Sequence, residues 1–577
     1  MEDDIEVLDL VVVGAGVYGI CVANTYLTLH PSANIKVLDS DPDVGGVWST
    51  ARLYPQFWSQ TGARLTGYPD VPFQIPEGSP TYHDLFEAKH LSKYLEDYVT
   101  DHEYDGHSLR DRFVFNCYAN SIYKRGDVWT VKGRLNDQPV SYQARKVIVA
   151  TGLSSLPNMP ELPGLESLKG LTLHQKDFGR SRILTPEEPN MEKHTNITVL
   201  GGSKSAADIA YAAATDVNKQ RKVNWIIRKS GTGPLATTKA NGFGKYRNLP
   251  ETGSTRAIAG LSSANPYLPE NWWDWFLHKT WLGEWISEKI WRRTEIEAAI
   301  HADFYGREGA LPGFEGLHSH ANVRWRTGPL GLIQHDDYWD VIARKVQVYR
   351  QDIASLKADT VVLEDGNEVK TDVLLCATGW TGEHPQFSPD ESERIGLPLK
   401  LDDVEHVKQE RQRWSKLEEA ADRKVLARWP YMANVPKFDK HPVTTTSYKL
   451  YNMTIPIDDQ SITFLGLPLV PNSYHVALIQ TLWAIAAMDG TLKLPPVDEV
   501  EKDVAFTNVW CRRRYPGHGH LGNVLEFEMV SYTDRLLEQL GLSSHLPKDS
   551  WWKKMTDPCL ASDYAGLIDE YRLKYKV

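Results

Sequence analysis

Leu8 to Val13 is an apolar run interrupted only by Asp9, the pattern of a strand buried on both faces of a parallel sheet. It leads into Gly14-Ala15-Gly16-Val17-Tyr18-Gly19, and a helical pattern then continues through Leu29. Ile35 to Leu38 predicts a second strand, ending at Asp39. A second unit of the same kind begins at Ile197. Its strand ends in Leu200-Gly201-Gly202-Ser203-Lys204-Ser205-Ala206, an Ala-rich helix is predicted from about Ala207 to Thr215, and the next strand is Val223 to Ile227, ending at Arg228-Lys229. Apolar strands ending in Ala150-Thr151-Gly152 and again in Ala377-Thr378-Gly379 predict the two crossings between the units.

Between Asn271 and Asp303 the pattern changes. Trp275, Leu282, Ile286 and Ile290 fall at roughly helical spacing, with Trp272, Trp273, Trp281, Trp285 and Trp291 among them. The expectation is a buried helical insertion; a lid over the substrate, or a patch touching membrane or partner, would require exposed aromatics. The predicted fold class is α/β: two nested doubly wound Rossmann-like dinucleotide-binding domains plus a helical insertion. Residues 1–185 are expected to begin the first domain, 190–375 to form the second with the insertion at about 255–345, and 376–577 to complete the first.

With 577 residues the chain exceeds a single hydrophobic core. The net charge of −11 argues against a polyanionic partner such as nucleic acid, and makes Arg512, Arg513 and Arg514 local ion-pairing or cofactor-facing groups. Cys21, Cys117, Cys376, Cys511 and Cys559 are scattered without a CxxC pair, which fits a reducing, cytoplasmic setting and leaves a dithiol–disulfide reductase without its redox pair. No apolar run reaches the length of a membrane span, so no integral membrane association is expected. His318 and His320, like His518 and His520, lack an accompanying Cys/Asp/Glu set, so no metal is expected. Oligomeric state is not legible.

The first glycine motif follows a strand, opens a helix and is followed by an acid, and that context gives each residue a task. Gly14 permits the tight turn, Gly16 lets the backbone approach a pyrophosphate, and Gly19 allows close helix–strand packing. The helix N-terminus supplies N–H donors to the phosphates, and Asp39 can accept hydrogen bonds from ribose hydroxyls. In the second motif Gly201 is kept, but Ser203 and Ala206 stand where the middle and third glycines are expected. Arg228-Lys229 replaces the acid after the next strand; cations there favour a 2′-phosphate, hence NADPH over NADH. Asp43-Val44-Gly45-Gly46-Val47-Trp48 offers paired glycines where the chain passes close to a flat ring, with Trp48 able to pack on it.

The chain resembles the flavin-containing monooxygenase family nearly end to end. Leu168-Lys169-Gly170-Leu171-Thr172-Leu173-His174-Gln175-Lys176-Asp177-Phe178 resembles the signature FxGxxxHxxx(F/Y), with Leu168 in place of Phe. Gly179 follows Phe178, whereas the related Baeyer–Villiger enzymes usually carry Trp, then Pro or Asp. Cys376-Ala377-Thr378-Gly379-Trp380, with Pro385, resembles FATGY; Ile462 to Leu467, Gln480 to Ala484 and Leu492 to Pro495 resemble the family's C-terminal end. By the spacing from Tyr54 to Tyr68-Pro69-Asp70-Val71-Pro72-Phe73, Gln60 stands in the place of the family's active-site Asn. The extra methylene moves the amide by about 1 Å, a displacement that matters in catalysis.

The resemblance implies FAD contacts from Gly14, Ala15, Gly16, Val17, Tyr18, Asp39, Val47, Trp48, Gln60 and Thr61. It implies NADP contacts from Ser59, Gln60, Ser205, Ala206, Ala207, Asp208 and Arg228. It further implies that NADPH reduces FAD, which then reacts with O2 to give a flavin hydroperoxide, with Gln60 and retained NADP supporting it. One oxygen atom would pass to a small organic substrate, in a setting consistent with secondary metabolism. Three readings stay open: oxygenation at N, S or C; Baeyer–Villiger oxidation of a ketone by the deprotonated peroxide; and a non-oxygenating nicotinamide-binding flavoprotein for electron transfer or sensing.

Overall fold

The computed structural model describes residues 6–185, 193–216, 221–258, 264–439, 442–543 and 550–577. The opening unit is β1 (Val7–Val13), α1 (Val17–Leu29) and β2 (Ile35–Leu38). It continues with β3 (Phe113–Val114), β4 (Cys117–Arg125), β5 (Val128–Leu135) and β6 (Gln138–Val149). These strands form one sheet in the order β3-β2-β1-β6-β5-β4. The long β6 changes neighbours midway. Residues Gln138 to Ala144 pair antiparallel with β5, while its end runs parallel to β1.

The second sheet is parallel throughout. Its elements are β7 (Leu171–His174), β8 (Asn196–Leu200), α2 (Lys204–Ala214) and β9 (Lys222–Ile227). There follow β10 (Ala236–Thr238), α3 (Trp272–Lys279), α4 (Trp281–Ala302), β11 (Leu330–Leu332), β12 (Val346–Arg350) and β13 (Val373–Cys376). The strand order is β7-β13-β8-β9-β12, with β10 and β11 as a separate parallel ribbon. Every residue of β8 and β13 is buried, including Asn196 and Thr198 of β8, which are hydrogen-bonded to Asp372 and Thr371, as strands covered on both faces require. The chain then returns: β14 (Ile462–Phe464) pairs with the end of β6 in the first sheet. The helix α5 (Ser473–Met488), almost wholly buried, packs on α1.

One expectation is corrected. The Trp-rich insertion is helical but not buried. Trp272, Trp273, Trp275, Trp281, Trp285 and Ile290 are all exposed, Trp281 at 81%. In α4 only Gly283, Ser287 and Ala302 are fully buried; the helix otherwise meets the body through half-buried Trp291 on Phe527 and through Glu284 and Glu295, which engage Arg324 and the Val323 amide. The reason is local: a Cβ on Gly283 would lie 2.0 Å from the Phe276 carbonyl oxygen, so α3 and α4 meet too closely for a large side chain there. The apolar residues surround the helix, and the spacing of Trp275, Leu282 and Ile290 did not mark its inner face. Arg512 and Arg513 pair with Glu418 and Asp422, and buried Arg514 donates to the Arg324 carbonyl. Among the described residues no helix is long and apolar enough to cross a membrane.

Asp459 docks the returning strand. Its carboxylate accepts from Lys124 Nζ at 2.9 Å, Arg394 Nη1 at 3.0 Å and the Ser461 amide at 3.0 Å, while Ser461 Oγ accepts from Trp129 Nε1 at 2.8 Å. Burial alone would raise its pKa; the Ser461, Lys124 and Arg394 hydrogen bonds more than offset that and hold it at about 2. A carboxyl depressed in the folded state stabilises it above the unfolded pKa of about 4 and loses that contribution as pH falls toward the folded value. Asp459→Asn is therefore expected to be less stable than the parent at neutral pH, with the gap closing between about pH 4 and pH 2. Urea unfolding midpoints across that window measure it; a constant gap would remove the charge from the account.

Candidate active site

The two glycine turns are built to one plan. The Gly14 amide donates to Leu38 O at 2.8 Å and that of Gly201 to Ile226 O at 3.0 Å. Both glycines have positive φ, +113° and +137°. A Cβ on Gly14 would lie 2.5 Å from the Ala150 carbonyl oxygen, and one on Gly201 would lie 2.2 Å from that of Ala377. Only glycine meets both demands. Each of these alanines begins an Ala-Thr-Gly that leaves a central strand, so the two recurring endings sit directly beside the two turns.

At the first turn the Ala15 amide donates to Asp39 Oδ2 at 2.6 Å, and the Asp41 amide to Asp39 Oδ1 at 2.8 Å. Burial pushes the Asp39 pKa up, against these two hydrogen bonds. Each oxygen keeps further acceptor capacity for a hydroxyl. A Cβ on Gly19 would lie 1.8 Å from Gly14 O, which explains the third glycine as a packing requirement. Gly45 and Gly46, both at positive φ, press against the turn: a Cβ on Gly46 would come within 3.1 Å of Gly16 Cα, and Gly45 N donates to Ala15 O at 2.9 Å.

These segments wall a cavity of about 570 Å3. Of the residues expected at a flavin dinucleotide, Gly14, Gly16, Val17, Tyr18, Asp39, Gly46, Val47 and Trp48 line it. The Tyr18 hydroxyl is buried with no hydrogen-bond partner, and Trp48 stacks on Phe57 at 5.5 Å. Ala15 and Gly19 stand behind the wall. A glycine-lined cradle at a helix N-terminus, an acid at the next strand's end and an orphaned buried hydroxyl together fit FAD.

Three further lining residues were not anticipated. Arg52 donates through Nε to buried Asp41 at 2.8 Å, and Arg180 holds the other oxygen of that carboxylate at 2.6 Å. Lys176 donates to Ser155 O at 2.8 Å. Half-buried His384 contacts the Tyr448 hydroxyl at 2.9 Å, and desolvation lowers its pKa to about 4, so it is neutral at pH 7. A signal existed for two of them: Lys176 lies inside the quoted Gly170–Phe178 motif and His384 immediately precedes Pro385. Gly179 also gains a reason, since a Cβ there would strike the Arg52 carbonyl carbon at 2.4 Å.

Ser59, Gln60 and Thr61 do not line this cavity; they form its neighbour. Ser59 is buried, its hydroxyl donating to Thr61 O at 2.9 Å. Thr61 Oγ1 donates at 3.1 Å to Pro471 O, in the 468–473 stretch that walls the cavity. Gln60 is exposed, and its Oε1 accepts from Leu332 N of β11 at 3.2 Å. Two residues on, Gln334 Nε2 donates to the carbonyls of Trp58 at 3.0 Å and Ser59 at 2.9 Å. Its Oε1 accepts from Lys204 Nζ at 2.5 Å, and Lys204 also pairs with Asp208. Burial lowers Lys204 and raises Asp208, and their mutual attraction opposes both shifts. The stretch 332–334 thus ties the Gln60 segment to the first turn of α2.

Around the second turn, Ser203 Oγ points to Ala377 O at 3.3 Å, and Ser205 is half-buried. Ala206 and Ala207 are in the core beneath α2, and Asp208 is held by Lys204, so what these three offer outward is backbone. Arg228 is exposed at the end of β9.

Two dinucleotide folds joined at one junction define a nicotinamide-linked flavoprotein. A family model described as pyridine nucleotide-disulphide oxidoreductase matches residues 11–240. A FAD-dependent monooxygenase of Pyrenophora dematioidea is 30% identical over 577 residues, 94% of this chain and 99% of its own. Among solved structures, an open form of cyclohexanone monooxygenase aligns with a TM-score of 0.59 at 18% identity, over 92% of this chain and 97% of the other. S-allyl-L-cysteine S-oxygenase from Allium sativum aligns with a TM-score of 0.51 at 14% identity, over 99% and 94%. The chain belongs to the family of FAD-dependent, flavin-containing monooxygenases.

Gly14→Ala is expected to purify with less than about one-tenth of the parent's flavin, because the added methyl meets Ala150 O and a strained φ together. The ratio of absorbance at the flavin band to that of the protein measures it; a yellow, flavin-replete variant would sink the assignment of this turn.

Proposed function

We propose that this enzyme uses NADPH and FAD to insert one oxygen atom from O2 into a small organic substrate at the junction marked by Gln60. The observation that carries the reading is the tie between the two nucleotide folds. Leu332 holds the Gln60 amide by its oxygen while Gln334 holds the carbonyls of residues 58 and 59. Bound FAD would supply what side chains lack, acceptance of hydride from NADPH and reaction with O2. Gly14, Gly16 and Gly46 would let backbone approach its pyrophosphate, Asp39 would take ribose hydroxyls, and Trp48 would pack near the ring.

The Gln60 oxygen is already satisfied, so its NH2 is the group free to donate into the junction. A donor set in advance stabilises developing negative charge without reorganisation when the reaction occurs. The longer side chain is accommodated because β11 approaches from the other side and anchors it. NADP would lie on the second turn, with backbone from Ser205 to Asp208 and the cation of Arg228 facing it. The five cysteines are all buried and scattered without a CxxC pair, which suits a reducing compartment such as the cytoplasm.

Turnover under 18O2 tests the reading. A panel of sulfides, amines and ketones supplied with NADPH should yield a product carrying one labelled oxygen, and esters or lactones from ketones would assign Baeyer–Villiger chemistry. NADPH consumed with no labelled product from any class would instead favour a non-oxygenating flavoprotein. Gln60→Ala is expected to keep its flavin and to release several times more hydrogen peroxide per NADPH, because removal of a placed donor slows the productive step by about 100-fold or more. Unchanged coupling would remove Gln60 from the chemistry.

A further inference from the structure

The strand beside β9 in the second sheet is β12, and it ends at Arg350. This side chain is half-buried and set in place from several sides. Its Nη1 donates to the Arg228 carbonyl across the strand ends. Its stem lies under Gly316, where a Cβ would approach to 3.2 Å, and its head lies against Gly233, where a Cβ would approach Nη2 to 3.3 Å. Gly233 is in turn the residue whose carbonyl oxygen a Cβ on Gly202 would strike, at 2.6 Å. The glycine turn, the Gly233 loop, the end of β9 and the end of β12 therefore form one continuous surface. It lies at the C-terminal edge of a parallel sheet, where nucleotides bind.

Three cations share that surface: Arg228, Lys229 and Arg350. Among the described residues none of the three has a carboxylate within ion-pair distance. The nearest acids that act on Arg350 are Asp352 and Asp439. Asp352 is engaged by Ser230, through the amide at 3.2 Å and Oγ at 2.7 Å. The three like charges repel one another, Asp352 and Asp439 offset this only from beyond ion-pair distance, and a bound anion of high charge relieves the arrangement. Burial makes Arg350 somewhat easier to deprotonate, yet a guanidinium stays charged at pH 7. A flexible exposed arginine loses side-chain entropy when it grips a phosphate; one already packed loses less.

We propose that Arg350 is a second 2′-phosphate-binding cation, acting with Arg228, and that it determines the preference for NADPH over NADH. The inference rests on the reading of the second turn as the NADPH site. Nothing in the local sequence around Arg228 points to it, because the two residues are 122 positions apart.

Binding to the FAD-loaded protein separates the possibilities without turnover. Calorimetric titration with 2′,5′-ADP and with 5′-AMP is compared for the parent, Arg350→Gln, Arg350→Lys and Arg228→Ala. Loss of one charge-assisted contact is expected to weaken 2′,5′-ADP about tenfold or more in Arg350→Gln and to leave 5′-AMP within about twofold, with Arg350→Lys recovering most of the difference. In steady state kcat/KM for NADPH should fall by a similar factor while that for NADH holds. Equal weakening of both ligands would make Arg350 a purely structural prop of β9 and overturn the proposal. Loss of 2′-phosphate discrimination in Arg228→Ala but not in either Arg350 variant would also overturn it, leaving the NADPH site standing. No discrimination between the two ligands in the parent would remove the 2′-phosphate reading itself. Flavin content and Tm, measured on every variant, show that the comparison is between folded proteins.

Discussion

Two close contacts between a glycine and a carbonyl oxygen organise the molecule. Ala150 O occupies the space a Cβ on Gly14 would need, and Ala377 O does the same at Gly201. Each contact locks a strand end, a tight turn and the start of a helix into one unit. The amides of Ala150 and Ala377 complete it by donating to the last residues of β1 and β8, Val13 and Leu200, both at 2.8 Å. The turn is thereby fixed against its neighbours, and the first-turn N–H groups of α1 and α2, which have no intrahelical partner at any helix start, are what an anionic ligand requires. The same construction appears twice, and the paired Ala-Thr-Gly endings are its trace along the chain.

What connects the two constructions is polar. Gln334 donates to two carbonyls of one fold and accepts from Lys204 of the other, while Leu332 holds Gln60. A buried network of this kind is costly if any member is unpaired, so it sets the geometry of the junction sharply. Gln60 departs from the family's Asn, and the structure supplies the partner that the longer side chain reaches. Beside the cavity at the first glycine turn, Arg52, Asp41 and Arg180 play a similar role. One buried carboxylate is held by two guanidiniums, tying the Phe178–Ser181 turn to the loop behind Trp48.

The Trp-rich hairpin shows where apolar spacing misleads. A helix with large apolar residues on every side reads as buried, yet only Gly283 and Ser287 of α4 are fully buried near α3, where the backbones meet too closely for a large side chain, and farther along the helix Trp291 packs on Phe527. Within α3, Trp272 meets Trp273 edge-on at 4.9 Å and stacks on Phe276 at 5.4 Å instead. Their surroundings are decided by which face the neighbouring backbone can approach, a quantity that composition does not contain.

The sequence by itself determined the two dinucleotide folds, their elements to within a residue or two at β1, α1, β2 and β9, and most of the residues around the first glycine turn that line its cavity. It could do so because those features obey local rules: buried parallel strands are continuously apolar, and a turn at positive φ against a carbonyl admits only glycine. Tertiary structure alone decided that Arg52, Lys176 and His384 join the cradle, that Gln334 braces Gln60, that Arg350 stands beside Arg228, and that the tryptophans face outward. These facts depend on strands and loops brought together from distant parts of the chain. A side chain's partners across a sheet follow from strand order and register, which no local spacing of residues encodes.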